Sequence, residues 1–445
     1  MILNEKKLIV VEFNELVPHL VEKFINDGHM PNFKKLANIS SCYITDAHQA
    51  GEDLNPWIQW VTVHTGLTPE EHGVYRLNEA IKCEGKYLWD KLSNEGAYSL
   101  IFGSMNGYIQ DSFLGTYLPD PWDKLTKPSD NLQKYFEFIR AYVQGTPDSS
   151  EVSPVQFLKF MVLNGLTLKT CFKIAKQLIS EKIDPRKKWK RACLLDWIQL
   201  DVFRSLYKKE SPKFSTLFSN STAHIQHTLW AESYPEEFPS WGNKKMTDNP
   251  MLEAYKNHDE ILGEIIKLNA ENVEIAICTA LSQQPYTKNT KCFYHISDFS
   301  AFLSQLNVLG KPSYVPVMAE QFHLNFSNEA DVKKAFEHLS KFEMPDEKYF
   351  YEGSNKVFSM TIEKTILHIK CRCSTLVEEG VPFFNVETNQ QYNFYDMFYL
   401  MDDQKTGVHH PHGLFWITNT NTNTNTEIIP LEQVYNKIVM KMVND

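Results

Sequence analysis

The chain lacks any run of about 20 consecutive apolar residues, so nothing in it reads as a membrane span. Its N-terminus carries no basic region ahead of a long apolar core. No signal peptide is expected, and cytoplasmic residence is the default expectation. It also lacks an excess of positive charge. Lys and Arg number 45 against 55 Asp and Glu, a net charge of −10, which argues against broad nucleic-acid binding and fits a self-repelling, solvated surface. The eight cysteines (Cys42, Cys83, Cys171, Cys193, Cys278, Cys292, Cys371 and Cys373) show neither zinc-knuckle spacing nor a dense disulfide frame. Cys371 and Cys373 share one face of an extended strand and read as structural.

What remains is ample material for a large core. The 445 residues are 42 % hydrophobic and 13 % aromatic, enough for one large α/β domain with insertions or for two domains. Leu8–Phe13 is an apolar run of the buried parallel-strand kind. It is followed by a helix over about His19–Asp27 and another from Pro31. Tyr98–Phe102, Phe214–Phe218 and Val273–Cys278 read as further buried strands, and their alternation with helices predicts a mostly parallel sheet. From 127 to 212 helical patterns dominate, including one over Pro154–Ile179, with basic residues clustered over 182–191. This segment reads as a helical insertion whose charge run is a solvated face. Two strands are expected within Val357–Cys373, one at Gly413–Ile417 and a closing helix at Leu431–Val443. The Asn-Thr alternation of Thr418–Thr426 reads as an exposed loop.

The most informative stretch is Asn55–Val74. Its second half, Thr65-Gly66-Leu67-Thr68-Pro69-Glu70-Glu71-His72-Gly73-Val74, reads as a helix end, a turn and a helix re-entry, because Gly66 can end a helix and Pro69 cannot continue one. This segment resembles the one that follows the nucleophile in the alkaline phosphatase superfamily, and most closely its type I phosphodiesterase/nucleotide pyrophosphatase branch. The resemblance runs in order through most of the chain. It includes Tyr87–Tyr108, Leu118–Trp122, the stretch Phe218–Trp230 with His224 and His227, the stretch Thr279–Pro285, and Gly407-Val408-His409-His410-Pro411-His412-Gly413. It implies a three-layer α/β/α fold with a mostly parallel central sheet and a helical insertion. The expected division is 1–126, the insertion 127–212, and 213–445 with a smaller irregular or β subregion near 294–375.

The resemblance also implies two divalent metals beside a nucleophilic hydroxyl, held by Asp and His at strand ends. This chain departs from that pattern at several matched positions. Asn14 stands at the first ligand Asp, with Glu12 and Glu15 close by. Asn55 and Pro56 stand where a Thr or Ser nucleophile belongs; Asp53 and Thr62 are nearby alternatives, Thr62 inside the following helix, and Gln59 is placed to orient a ligand or water. Ala223 replaces a ligand Asp, and Ser282, Gln283 and Gln284 replace an Asp and a His. His227 and His409 remain at ligand positions. Lost carboxylates remove the charge that favours dication binding, so a standard two-metal centre is not expected. The expectation is one divalent metal, zinc or manganese, on His227, His409 and Glu15, with His410, His412, Asn55 and Gln59 as catalytic candidates. Asn14, His224, Ser282, Gln283 and Gln284 are the substrate-binding candidates. Tyr395, Asp396, Asp402 and Asp403 lie upstream of the histidines.

The functional expectation is an atypical hydrolase or transferase acting on a phosphate or sulfate ester, nucleotide- or sugar-linked or on a glycan. The alternative is a noncatalytic relative that binds a nucleotide, sugar phosphate or glycan. A scaffold role is the third option, and the aromatic content offers it little support because aromatics mostly fill cores.

Overall fold

A computed structural model describes residues 3, 5–144, 151–238, 246, 248–268, 273–287, 292–317, 321–350, 353–401, 405–418 and 427–443. Asp402, Asp403 and Asn419–Thr426 of the Asn-Thr tract lie outside these residues. The chain divides into two compact units, Met1–Pro285 with Gly407–Asp445, and Tyr286–Thr406.

The larger unit is built on an eight-stranded sheet. Its strand order is Glu427–Pro430, Ser40–Asp46, His412–Thr418, Val273–Cys278, Lys7–Phe13, Phe214–Ser219, Ser99–Phe102 and Gly115–Leu118. Only His412–Thr418 runs against the rest, pairing antiparallel with both neighbours. The other pairings are parallel.

The central strand Lys7–Phe13 shows why both faces must be covered. Ile9, Val11 and Phe13 enter one hydrophobic cluster, and Leu8 and Val10 enter another. Successive side chains of a strand point to opposite faces, so two separate cores mean a helical layer on each side. One cluster takes in Phe33, Trp197, Phe203 and Tyr255 from helices Pro31–Ala37, Arg191–Glu210 and Pro250–Ile266. The other takes in Trp60, Trp89 and Ile438 from helices Pro56–Thr65, Leu88–Asn94 and Gln433–Met442.

Between strands Gly115–Leu118 and Phe214–Ser219 lie the helices Gln133–Val143, Pro154–Leu163, Leu168–Ile183 and Arg191–Glu210. The single helix expected over Pro154–Ile179 is two helices. The break falls at Asn164-Gly165. Gly165 has φ +100°, and a Cβ there would stand 2.8 Å from the Ser205 Cβ.

The smaller unit carries its own apolar cluster, including Phe322, Phe342, Phe358, Phe383 and Phe394. A four-stranded antiparallel sheet runs in the order Phe358–Glu363, Ile366–Cys371, Gln321–Asn325 and Ser313–Pro316. Cys371 and Cys373 are buried there and unbridged.

Candidate functional site: a carboxylate between two imidazoles at the sheet's carboxyl edge

The parallel strands Lys7–Phe13, Phe214–Ser219 and Val273–Cys278 end side by side, and the residues that follow them converge. This is the edge at which open α/β sheets bind ligands. Residues 279–285 contain a short strand. Ser282–Pro285 pairs antiparallel with Gly407–His410, setting His409 opposite Gln283 and His410 opposite Ser282. Backbone pairing between two segments more than 120 residues apart is a tertiary event that local polarity does not reveal.

Glu15 is the centre of the arrangement. It is buried, and its backbone has φ +62°, a left-handed conformation rare for a residue with a side chain. Such backbone strain persists where the surroundings over-determine it. Here Gln226 donates Nε2–H to the Glu15 carbonyl at 2.8 Å, and the Tyr255 hydroxyl holds Gln226 Oε1 at 2.7 Å. Asn14 Nδ2 donates to Glu15 Oε1 at 3.0 Å, and Gln283 Nε2 donates to Glu15 Oε2.

The Nε2 atoms of His227 and His409 lie 3.2 and 3.8 Å from the two carboxylate oxygens. The rings meet edge to face with centroids 5.1 Å apart. Burial pushes the Glu15 carboxyl up. The facing His227 and His409, with hydrogen bonds from His227 and Gln283, outweigh it and hold the carboxyl at about 2.

One ligand atom from each of Glu15, His227 and His409 lies within 4.8 Å of the other two. His227 Nδ1 is 3.1 Å from the Gly407 carbonyl oxygen. A carbonyl only accepts, so Nδ1 carries a proton, and Nε2, the nitrogen facing Glu15, is the one that would give its lone pair to a cation. Orienting a ligating imidazole through its other nitrogen is a regular feature of metal sites. Bonds of about 2.0–2.2 Å to one ion separate its ligands by roughly 3.3–3.6 Å, and two imidazoles with one carboxylate form a common donor set for a divalent transition metal. The residues fit one such ion. Gln283 Oε1, buried and without a hydrogen-bond partner among the described residues, adds a polar atom beside the trio.

The other residues singled out in the sequence fall into distinct places. Asn14 is buried with its amide spent: Nδ2 on Glu15 and Asn220, Oδ1 on the Trp60 indole N–H at 2.8 Å. Glu12 points into the core, where it meets His64 Nε2 at 2.9 Å and accepts from the Ser104 hydroxyl at 2.8 Å. Asn55 caps the helix Pro56–Thr65 without a side-chain capping bond. Gln59 is buried in that helix and turns back to the Asp53 carbonyl. Ser282 is buried, while Gln284 and His224 are exposed.

His410 and His412 do not join His409. Their rings stack edge to face 5.0 Å apart, and His412 faces Asp46 at 3.5 Å. Burial and then His412 lower the His410 imidazole, against a pull from Asp46.

The Thr65–Val74 segment takes the expected form. Gly66 ends the helix at φ +70°, and Thr68 with Glu71 forms a capping box for the helix Pro69–His72. His72 accepts from the Val74 N–H at Nδ1 and bonds the Thr62 hydroxyl through Nε2. Burial lowers its imidazole to about 4, so it is neutral at pH 7 and braces the turn.

Gln226 and Asn220 were missed as site residues. Gln226 directly precedes His227, and nothing in its type or spacing marks it. Only the fold brings it against the Glu15 backbone.

A family model described as type I phosphodiesterase / nucleotide pyrophosphatase matches residues 8–352. Among solved structures, murine ectonucleotide pyrophosphatase / phosphodiesterase 5 is similar at 11 % identity and TM-score 0.42, over 99 % of this chain and 96 % of that one. The human counterpart gives 10 % identity and TM-score 0.43 over 99 % and 96 %. Phosphonoacetate hydrolase from Sinorhizobium meliloti, in complex with phosphonoformate, gives 10 % and 0.42 over 98 % and 96 %. No curated protein matches the sequence. With structural likenesses this distant, the assignment rests on the family match: the chain belongs to the type I phosphodiesterase / nucleotide pyrophosphatase family, whose chemistry is phosphoester hydrolysis.

Proposed function

We propose that this chain is a phosphoester hydrolase of that family with a rebuilt centre, in which Glu15, His227 and His409 hold one divalent cation, zinc or manganese, and water replaces the protein nucleophile. The observation that carries the reading is the oriented trio: a buried, ionised carboxylate between two imidazole nitrogens, one fixed by the Gly407 carbonyl. A cation bound there supplies a Lewis acid beside the phosphoryl oxygens. Gln283 and Asn14 hold the carboxylate oxygens, and Gln226 pins the backbone that presents them.

Asn55 and Pro56 carry no hydroxyl, so the reaction runs without a covalent enzyme intermediate at that position. A water oxygen bonds to phosphorus as the ester oxygen leaves with a proton. The substrate class is a small phosphate or sulfate ester, nucleotide- or sugar-linked forms included. Eight unbridged cysteines support a reducing, cytoplasmic setting.

A second reading, a binder of nucleotide, sugar phosphate or glycan without turnover, is favoured by the absent nucleophile and by the fully spent amide of Asn14. Metal analysis of purified protein with a phosphoester and sulfoester screen separates the two. Stoichiometric metal and turnover, both lost in a His227→Ala/His409→Ala double variant, support the hydrolase. No metal and no turnover, with thermal stabilisation by a sugar nucleotide, supports the binder. Metal-free turnover abolished by His410→Ala or His412→Ala would move the chemistry to the second histidine pair.

A further inference from the structure

The helix Leu168–Ile183 is amphipathic the wrong way round. Its buried residues are polar, Thr170, Gln177 and Glu181. Gln177 bonds Glu181 Oε1 and the Lys187 carbonyl, and Arg191 pairs with Glu181 at 2.7 Å. Lys169 and Lys173 lie over the Trp197 ring at 4.3 and 4.4 Å and pair with Glu260. The helix is therefore held to the body by polar groups, and its apolar stripe, Leu168, Phe172, Ile179 and Ile183, faces outward.

The preceding helix Pro154–Leu163 also turns apolar side chains outward. It buries Phe160 and Met161 and exposes Val155 and Leu163. These six outward side chains are 62–89 % exposed. Nine of the 22 exposed large hydrophobic side chains among the described residues fall between 155 and 183. Apolar exposure this concentrated marks an interaction surface, unlike the scattered exposed hydrophobics found elsewhere on soluble proteins.

The charge of the segment selects the partner. Residues 154–191 hold ten Lys and Arg against two Asp and Glu, in a chain of net charge −10. Lys159, Lys176, Lys182 and Lys188 are exposed among the apolar side chains and make no ion pair among the described residues. Apolar side chains interspersed with lysines match the boundary of an anionic bilayer, where the former enter the acyl region and the latter reach the headgroups. A symmetric dimer through the same face is disfavoured, because it would set these lysines against their own copies.

We propose that helices Pro154–Leu163 and Leu168–Ile183 form a docking surface for an anionic membrane, on which the chain rests without spanning it. The test is flotation of the full chain with vesicles of phosphatidylcholine alone or with about one-third phosphatidylglycerol. Expected is partition at least about tenfold stronger onto the anionic vesicles, weakened by salt. A Leu168→Glu/Phe172→Glu variant should lose it, and Lys176→Glu/Lys182→Glu should reduce it roughly tenfold, with melting temperatures unchanged because all four side chains are exposed. Absence of partition by the wild-type chain overturns the proposal, as does partition that both variants retain. A concentration-dependent dimer that Leu168→Glu/Phe172→Glu dissociates, without vesicle binding, would reassign the face to a second copy. None of these outcomes depends on catalysis, so they stand apart from the hydrolase reading.

Discussion

Two histidine clusters flank the turn at Pro411, and they differ in what surrounds the carboxylate. On one side Glu15, 2 % exposed, lies between His227 and His409. On the other Asp46, 20 % exposed, lies between His412 and His48, whose side chains are 41 % and 62 % exposed. His409 and His410 are consecutive on one strand, so their side chains leave on opposite faces and enter these two environments. In the first, the carboxylate receives hydrogen bonds from Asn14 and Gln283 and its backbone is pinned by Gln226. In the second, water screens each pair, and the Asp46 carboxylate also caps the His48 N–H. Density of histidine does not make a centre. A buried carboxylate with preorganised partners does, because removal of water strengthens every charge interaction around it.

The largest break in that comparison is expected from Glu15→Gln. Zinc or manganese affinity, read by calorimetric titration, should fall by at least about 100-fold, whereas Asp46→Asn should leave it within about twofold. Equal losses would erase the distinction between the clusters.

The same carboxylate should dominate the acid limb of stability in metal-free protein. Its folded value, about 2, lies below the ordinary 4.5. The stability it contributes is thus fully present above pH 4.5 and is lost as pH falls toward 2, on the order of 3 kcal/mol in total. Denaturant midpoints measured from pH 5 down to pH 2.5 should fall more steeply for the wild type than for Glu15→Gln.

Gln283→Leu should weaken metal binding roughly 10–100-fold as the carboxylate loses a partner. It should also cost about 1–3 kcal/mol, because the Ala223 carbonyl loses its donor too. A metal affinity unchanged by this substitution would show that Gln283 does not position Glu15. The smallest effect is expected from His412→Ala, under about 1 kcal/mol by thermal melting, since its partner is shared with solvent.

Much of the scaffold was legible because it is written locally. The apolar run Leu8–Phe13 becomes the central strand, and Gly66 and Pro69 place the helix end and restart where they stand. The Pro154–Ile179 segment was misread as one helix because the need for Gly165 comes from Ser205, 40 residues away in the chain. The site was legible only as residue types. Glu15, His227 and His409 were singled out by their neighbours in the chain, yet nothing local says that Asn14 spends its amide on Trp60 and Asn220, or that His410 turns away from His409.

The amino-acid sequence by itself determined five of the eight strands of the large sheet, the helix end and restart around Gly66 and Pro69, and the family. Side-chain periodicity and the backbone limits of glycine and proline act over a few residues, so they survive in a one-dimensional reading. Tertiary structure alone decided which polar groups lost their water. Pairing of Ser282–Pro285 with Gly407–His410 brought Gln283 and His409 to Glu15, and burial there turned three separate residues into one candidate cation site. Desolvation belongs to the packed chain and to no residue alone.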